Sequence, residues 1–259
     1  FVNLNKAKDF MASESCETAF EYATKAVSYD SSPEARRVLG EATDCAHDNQ
    51  ITLGNSQLEI SAFEAAITHF EQAKTYKNGS SEANNGITEA KTRAAQSYVE
   101  QAEAHFNSEN HAAAAEDFEK AMSYNSNVVN AEGESISSLI NKHYNTLNGN
   151  GESFYTNEEY ESAAADFKAA SYYKNKEMME KREVYALAVS KAHELEQSPD
   201  QLATLNDLKQ LQSNWYQAKK LKKNTNLSGG VNIESKVKEL NTGIYHAKVV
   251  EALLPNLST

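Results

Sequence analysis

Residues His111 to Tyr124, reading HAAAAEDFEKAMSY, set the tightest limit on what this chain can fold into. Ala114, Phe118 and Ala121 fall at i, i+4 and i+7, one face of an amphipathic helix, and the small alanines admit a second backbone at close range. The arrangement recurs. Equivalent to Ala121 are Ala26, Ala73, Ala170 and Ala218, giving successive spacings of 47, 48, 49 and 48 residues. Three residues before these anchors stand Ala23, Phe70, Phe118, Phe167 and Trp215, and seven before stand Ala19, Ala66, Ala114, Ala163 and Leu211. Three after come Tyr29, Tyr76, Tyr124, Tyr173 and Leu221. Such a helix cannot bury its stripe alone. Five copies at an even period therefore specify stacked helical hairpins, each unit covered by its neighbours.

These residues resemble the second helix of the tetratricopeptide repeat, which places Ala, an aromatic and Ala at this spacing. The resemblance covers roughly residues 15 to 223, including CETAFEYATKAVSYDSSPEA and YESAAADFKAASYYKN. The usual repeat is about 34 residues; here the surplus falls in the first helix of each pair. Glu82-Ala83, Gly86-Ile87, Ala90 and Arg93 open that helix as in the long-hairpin variant found in some bacterial repeat proteins. The expected fold is all-α: a right-handed α-solenoid of antiparallel hairpins over residues 1–224, then a loop and C-terminal cap helix over 225–259.

Local signals agree with long helices. There are only 3 Pro and 10 Gly in 259 residues, so breakers are scarce. Ser32-Pro33 reads as an N-cap followed by proline at the first helical position, and Ser198-Pro199-Asp200-Gln201 as a cap with the glutamine of a capping box. Ser61 with Glu64, and Thr156 with Glu159, read as further capping boxes. A continuous stripe predicts one helix over 82–107. Asn148-Gly149-Asn150-Gly151 predicts an end or interruption near residue 147. Later helices are expected over 177–197, 199–223 and 233–254.

The formal net charge is −12 and uneven: residues 1–150 hold 11 Lys and Arg against 22 Asp and Glu, and 151–259 hold 14 against 15. An acidic front half argues against nucleic acid as partner. No apolar run reaches the roughly 18–20 residues of a membrane-spanning helix. The chain opens on Phe1 rather than Met, so an upstream segment is expected to have been removed, whether a signal peptide, a membrane anchor or the rest of a longer chain. With a signal peptide removed, the expected site is extracytoplasmic, periplasmic or secreted, slightly preferred to a cytoplasmic one. Asn78, Asn226 and Asn256 begin Asn-x-Ser sequons.

Cys16 and Cys45 lie about equally far from the turn near residues 30 and 31, so an antiparallel hairpin places them side by side. They are either small buried thiols in a helix seam or a disulfide. The seven histidines never stand four apart on one helix, and no phosphate loop, dinucleotide fingerprint or nucleophile elbow occurs. No catalytic residue, metal or cofactor is expected. Phe70, Phe118, Phe167 and Trp215 are read as core. Tyr76, Tyr124 and Tyr173 are read as hairpin-closing residues with hydroxyls at the surface.

The resemblance implies recognition of a protein or peptide by the first-helix faces, where Asn84, Asn85, Lys91, Arg93, Asn141 and Lys142 are the candidate contacts. The cluster Lys219, Lys220, Lys222 and Lys223 has two readings. One is a solvated helix end complementing the dipole; the other is a contact to an acidic partner, to anionic lipid or to the acidic half of another copy. The alternative function is a structural subunit that assembles head to tail into a homo-oligomer or filament.

Overall fold

The computed structural model describes residues 2–197 and 205–244, and among these the chain is all-helical with no extended strand. In order come α1 (Val2–Ala12), α2 (Cys16–Tyr29), α3 (Pro33–Glu59), α4 (Phe63–Tyr76), α5 (Ser81–Asn107), α6 (His111–Asn125), α7 (Ile136–Thr156), α8 (Tyr160–Ser171), α9 (Lys176–Glu196) and α10 (Leu205–Lys222). A further helix, α11, covers residues 233–244. Long and short helices alternate. α3 and α5 have 27 residues each, against 14 in α2 and in α4, so the long helices span about 40 Å and absorb the extended period. No helix of the described residues is long and apolar enough to cross a membrane. The Ser198-Pro199 cap and the part of the last expected helix after residue 244 lie outside the described residues.

The chain divides into two compact units, Phe1–Gln101 with Asp117–Gly133, and Ala102–Glu116 with Glu134–Thr259. In the first, α2 packs on α1 and α3, and α3 on α4; in the second, α7, α8, α9 and α10 pack in chain order. Every residue at the anchor, and at three and seven before it, is buried in all five copies, and none is more than 8% exposed. Ala19, Ala66, Ala114 and Ala163 show no exposure at all, as expected where helix backbones meet across an alanine. A disulfide joins Cys16, the first residue of α2, to Cys45 of α3, with Cα atoms 5.3 Å apart.

The turns that admit the short helices share one construction. Glu14, Ser61, Glu109 and Glu158 have φ of 58°, 58°, 62° and 67°, and their spacings repeat those of the anchors. After each, the next residue's N–H reaches back five positions, as Ser15 to the Phe10 carbonyl (2.8 Å) and Asn110 to that of His105 (2.9 Å). The left-handed residue's own N–H reaches back three, as Glu109 to Phe106 (3.0 Å). This is the Schellman closure, whose left-handed position favours glycine. It corrects two expectations. Ser61 is the left-handed residue itself, and Thr156 ends α7 while donating its hydroxyl to the Glu152 carbonyl. Neither caps a following helix, and α4 and α8 start without side-chain caps. Ser32 does cap α3, accepting from the Ala35 N–H. Because an L side chain in the left-handed region costs about 1 kcal/mol, Glu109→Gly is expected to stabilise the chain by roughly that amount. A shift of the urea midpoint to higher concentration, with unchanged slope, would register it.

The interruption expected at Asn148–Gly151 does not occur: α7 runs unbroken from Ile136 to Thr156. Packing outweighs the poor helix propensity there. A Cβ on Gly151 would come within 2.7 Å of the Phe167 ring, so glycine is what allows α8 to close on α7. Asn148 and Glu152 are engaged as well. The Arg182 guanidinium of α9, itself 7% exposed, donates to both and, through Nε, to the Thr225 carbonyl at 2.9 Å.

Tyr173 departs from the surface role expected of it. Its hydroxyl is buried, and its ring lies against His143 (centroids 5.7 Å apart, stacked), Phe106 and His111. Burial raises its phenol above the ordinary range and lowers His143 to about 4.

Candidate functional site

The end of α10 places three of the four lysines on one cleft. Lys219, Lys222 and Lys223 line it with Gly229, Gly230 and Ile233, enclosing about 460 Å³. Lys220 is exposed and lies outside this lining.

The fold fixes the wall opposite the lysines through a chain of local contacts. The Thr225 hydroxyl donates to the Lys222 carbonyl at 2.9 Å and accepts from the Leu227 N–H at 3.3 Å, which closes the end of α10. Arg182 holds the Thr225 carbonyl from α9. Leu227, Val231 and Ile233 are buried in the core of the second unit. Gly229 and Gly230 have φ of 80° and 67°, and a Cβ on Gly230 would strike the Tyr155 ring. Tyr155 is itself pinned, its hydroxyl 2.6 Å from that of Tyr185. Asn232 then caps α11, its side chain accepting from the Ser235 N–H at 3.1 Å.

Charge in the cleft is unbalanced. Lys219 meets Glu234 at 3.5 Å, an exposed pair worth little. Lys222 and Lys223 have no carboxylate partner among the described residues. Two ammonium groups next to backbone amides of a left-handed Gly-Gly turn can hold carboxylate oxygens. Other clefts differ in sign. One before α4, of about 350 Å³, includes Ser61, Glu64 and Tyr124; one before α8, of about 290 Å³, includes Glu158, Glu159 and Glu161.

The remaining predicted contacts do not assemble around the lysines. Asn84, Asn85, Lys91 and Arg93 are exposed on the part of α5 that belongs to the first unit, with Arg93 paired to Glu89. Asn141 and Lys142 lie on α7 in the second unit. Asn141 accepts from Lys174 at 2.9 Å, and Lys142 meets Glu134 at 2.9 Å. Neither lines the lysine cleft. Sequence reasoning missed the Gly229-Gly230 wall, whose signal was the Gly pair six residues after the last lysine.

Compared with family models, with curated proteins and with solved structures, the chain gives no match.

Proposed function

We propose that the chain is a non-catalytic recognition module, a right-handed α-solenoid of tetratricopeptide-like hairpins with a cap helix, and that its lysine cleft takes an acidic segment of a partner protein. The repeat reading rests on the fivefold buried pattern and on four identical turns; that such repeats recognise proteins is an argument from likeness of architecture. The observation that carries the ligand class is the pair Lys222 and Lys223, without carboxylate partners among the described residues and facing a fixed Gly-Gly turn in a chain of net charge −12. A point-charge ammonium suits a flexible carboxylate-bearing segment rather than planar bidentate recognition.

The test is fluorescence anisotropy of a labelled glutamate-rich peptide. Saturable binding that weakens at least about tenfold in a Lys222→Glu, Lys223→Glu variant is expected, with affinity falling as salt rises. Equal binding by that variant, or none by the native chain, overturns the reading. The two substitutions lie at a solvent-reaching helix end, so folding survives them, and unchanged circular dichroism checks that.

A further inference from the structure

The closing tyrosines report what covers each copy. Tyr76 sets its ring edge-on to Phe20 of α2, with centroids 5.0 Å apart. Burial, then the charges of Glu17 and Glu21, raise its phenol pKa. Tyr124 donates its hydroxyl to Glu64 of α4 at 2.8 Å. Tyr76 and Tyr124 each reach the short helix of the copy before, Tyr76 through its ring and Tyr124 through its hydroxyl, while the Tyr124 ring stacks on Tyr98 of α5 with centroids 5.8 Å apart. Glu17 and Glu64 stand nine residues before their anchors, Ala26 and Ala73. One turn later, α2 offers Phe20 and α4 offers Ile67.

Tyr29 occupies the same register in the first copy and is 85% exposed. Val2 beside it is 71% exposed, and the two line a cleft of about 510 Å³ with Leu4, Ala26 and Ala35 and with two acidic residues, Asp30 and Glu34, the latter paired to Lys8 and Arg37. Lys6 and Lys25 continue this stripe. Val2 and Lys6 are four apart on α1, as are Lys25 and Tyr29 on α2, so each pair shares a helix face. Both ammonium groups stand 5.1 Å from the centre of the Tyr22 ring, and neither meets a carboxylate among the described residues. The cleft thus sets Val2, Leu4 and Tyr29 beside Asp30 and the ion-paired Glu34, and the two lysines over Tyr22 lie one turn further along.

We infer that this face of α1 and α2 docks an amphipathic helix of a partner protein, one presenting a carboxylate and, three residues later, an aromatic or large aliphatic side chain. Phe20 meets Tyr76 and Glu64 meets Tyr124 in this way, whereas Glu17 accepts from Asn49 and Gln50, each at 2.8 Å. On the face of α1 and α2, Lys6 and Lys25 supply the matching charge. A second copy stacked through its last short helix does not fit. α10 carries Lys209 and Gln212 at the two positions, and Lys209 would meet two lysines. The inference is independent of the cleft at Lys222 and Lys223.

The probe is a synthetic peptide with the sequence of residues 16–29, Cys16→Ala, labelled and stapled on its outer face, because a free helix of this length is marginal in water. It is titrated into the full chain and followed by anisotropy. Saturable binding is expected, weakened at least about tenfold by Tyr29→Ala in the protein and by Glu17→Gln with Phe20→Ala in the peptide. Tyr29 is so exposed that its loss leaves the fold intact, which an unchanged urea midpoint verifies. Binding indifferent to Tyr29, or none up to about 1 mM peptide, overturns the inference. So does a Tyr29-dependent dimer of the chain alone in sedimentation, since the occupant would then be a second copy.

Discussion

Gly151→Ala is expected to destabilise the chain by about 1–3 kcal/mol, while Gly149→Ala, two residues earlier in the same helix, stabilises it by about 1 kcal/mol. The two glycines share a helix and a propensity penalty; only their surroundings differ. Nothing lies within 4 Å of a Cβ at Gly149, so alanine there gains helix propensity without a clash. At Gly151 the added carbon would sit 2.7 Å from Phe167, well inside the roughly 3.5 Å contact distance between carbons. The same logic holds in the first unit around Phe70, whose ring lies 2.6 Å from a Cβ built on Gly54 of α3 and equally from one on Gly86 of α5. Gly86→Ala should destabilise comparably, and Phe70→Leu in the same molecule should recover part of the loss. The single Trp of the chain, Trp215, is fully buried in the second unit, so its fluorescence in urea reports the α7 variants. Equal effects at Gly149 and Gly151 would mean that α8 does not close on α7 as described.

Arg182→Met should cost about 3 kcal/mol, because it removes charged hydrogen bonds to Asn148, Glu152 and Thr225 at once. Glu152 is 48% exposed and can rehydrate, but the buried Thr225 is left with an unpaired carbonyl. Arg182→Lys should recover little, since one ammonium cannot reproduce a fork that spans α7 and the loop after α10. A urea midpoint for Arg182→Lys close to the native one would contradict this. Since Thr225 also anchors the wall of the lysine cleft, the Met variant should bind acidic peptide more weakly even under conditions where it remains folded.

Much of this was legible in the sequence, and the failures have physical reasons. The anchors Ala26 to Ala218 were readable because a helix face repeats every three or four residues and a buried seam tolerates few side chains. Ser32-Pro33 was readable because a cap acts within its own turn. Asn148-Gly149-Asn150-Gly151 was misread because propensity is local, whereas the reason for Gly151 is Phe167, sixteen residues on. Ser61 and Thr156 imitated capping boxes because Glu64 and Glu159 stand three residues downstream, while the turn is closed by backbone geometry in which non-glycine residues take the left-handed position. The lysines were visible as a cluster. That Lys222 and Lys223 face Gly229 and Gly230, while Lys220 does not, depends on Arg182 and Tyr155 fixing the intervening loop.

The most direct measurement of the recognition claim is a two-dimensional amide NMR titration of the chain with the glutamate-rich peptide. Saturable shifts concentrated on the amides of Lys222, Lys223, Gly229 and Gly230 are expected, with little change on α5 around Asn84, Asn85, Lys91 and Arg93. Shifts confined to α5, or a spectrum that the peptide leaves unchanged, would contradict it.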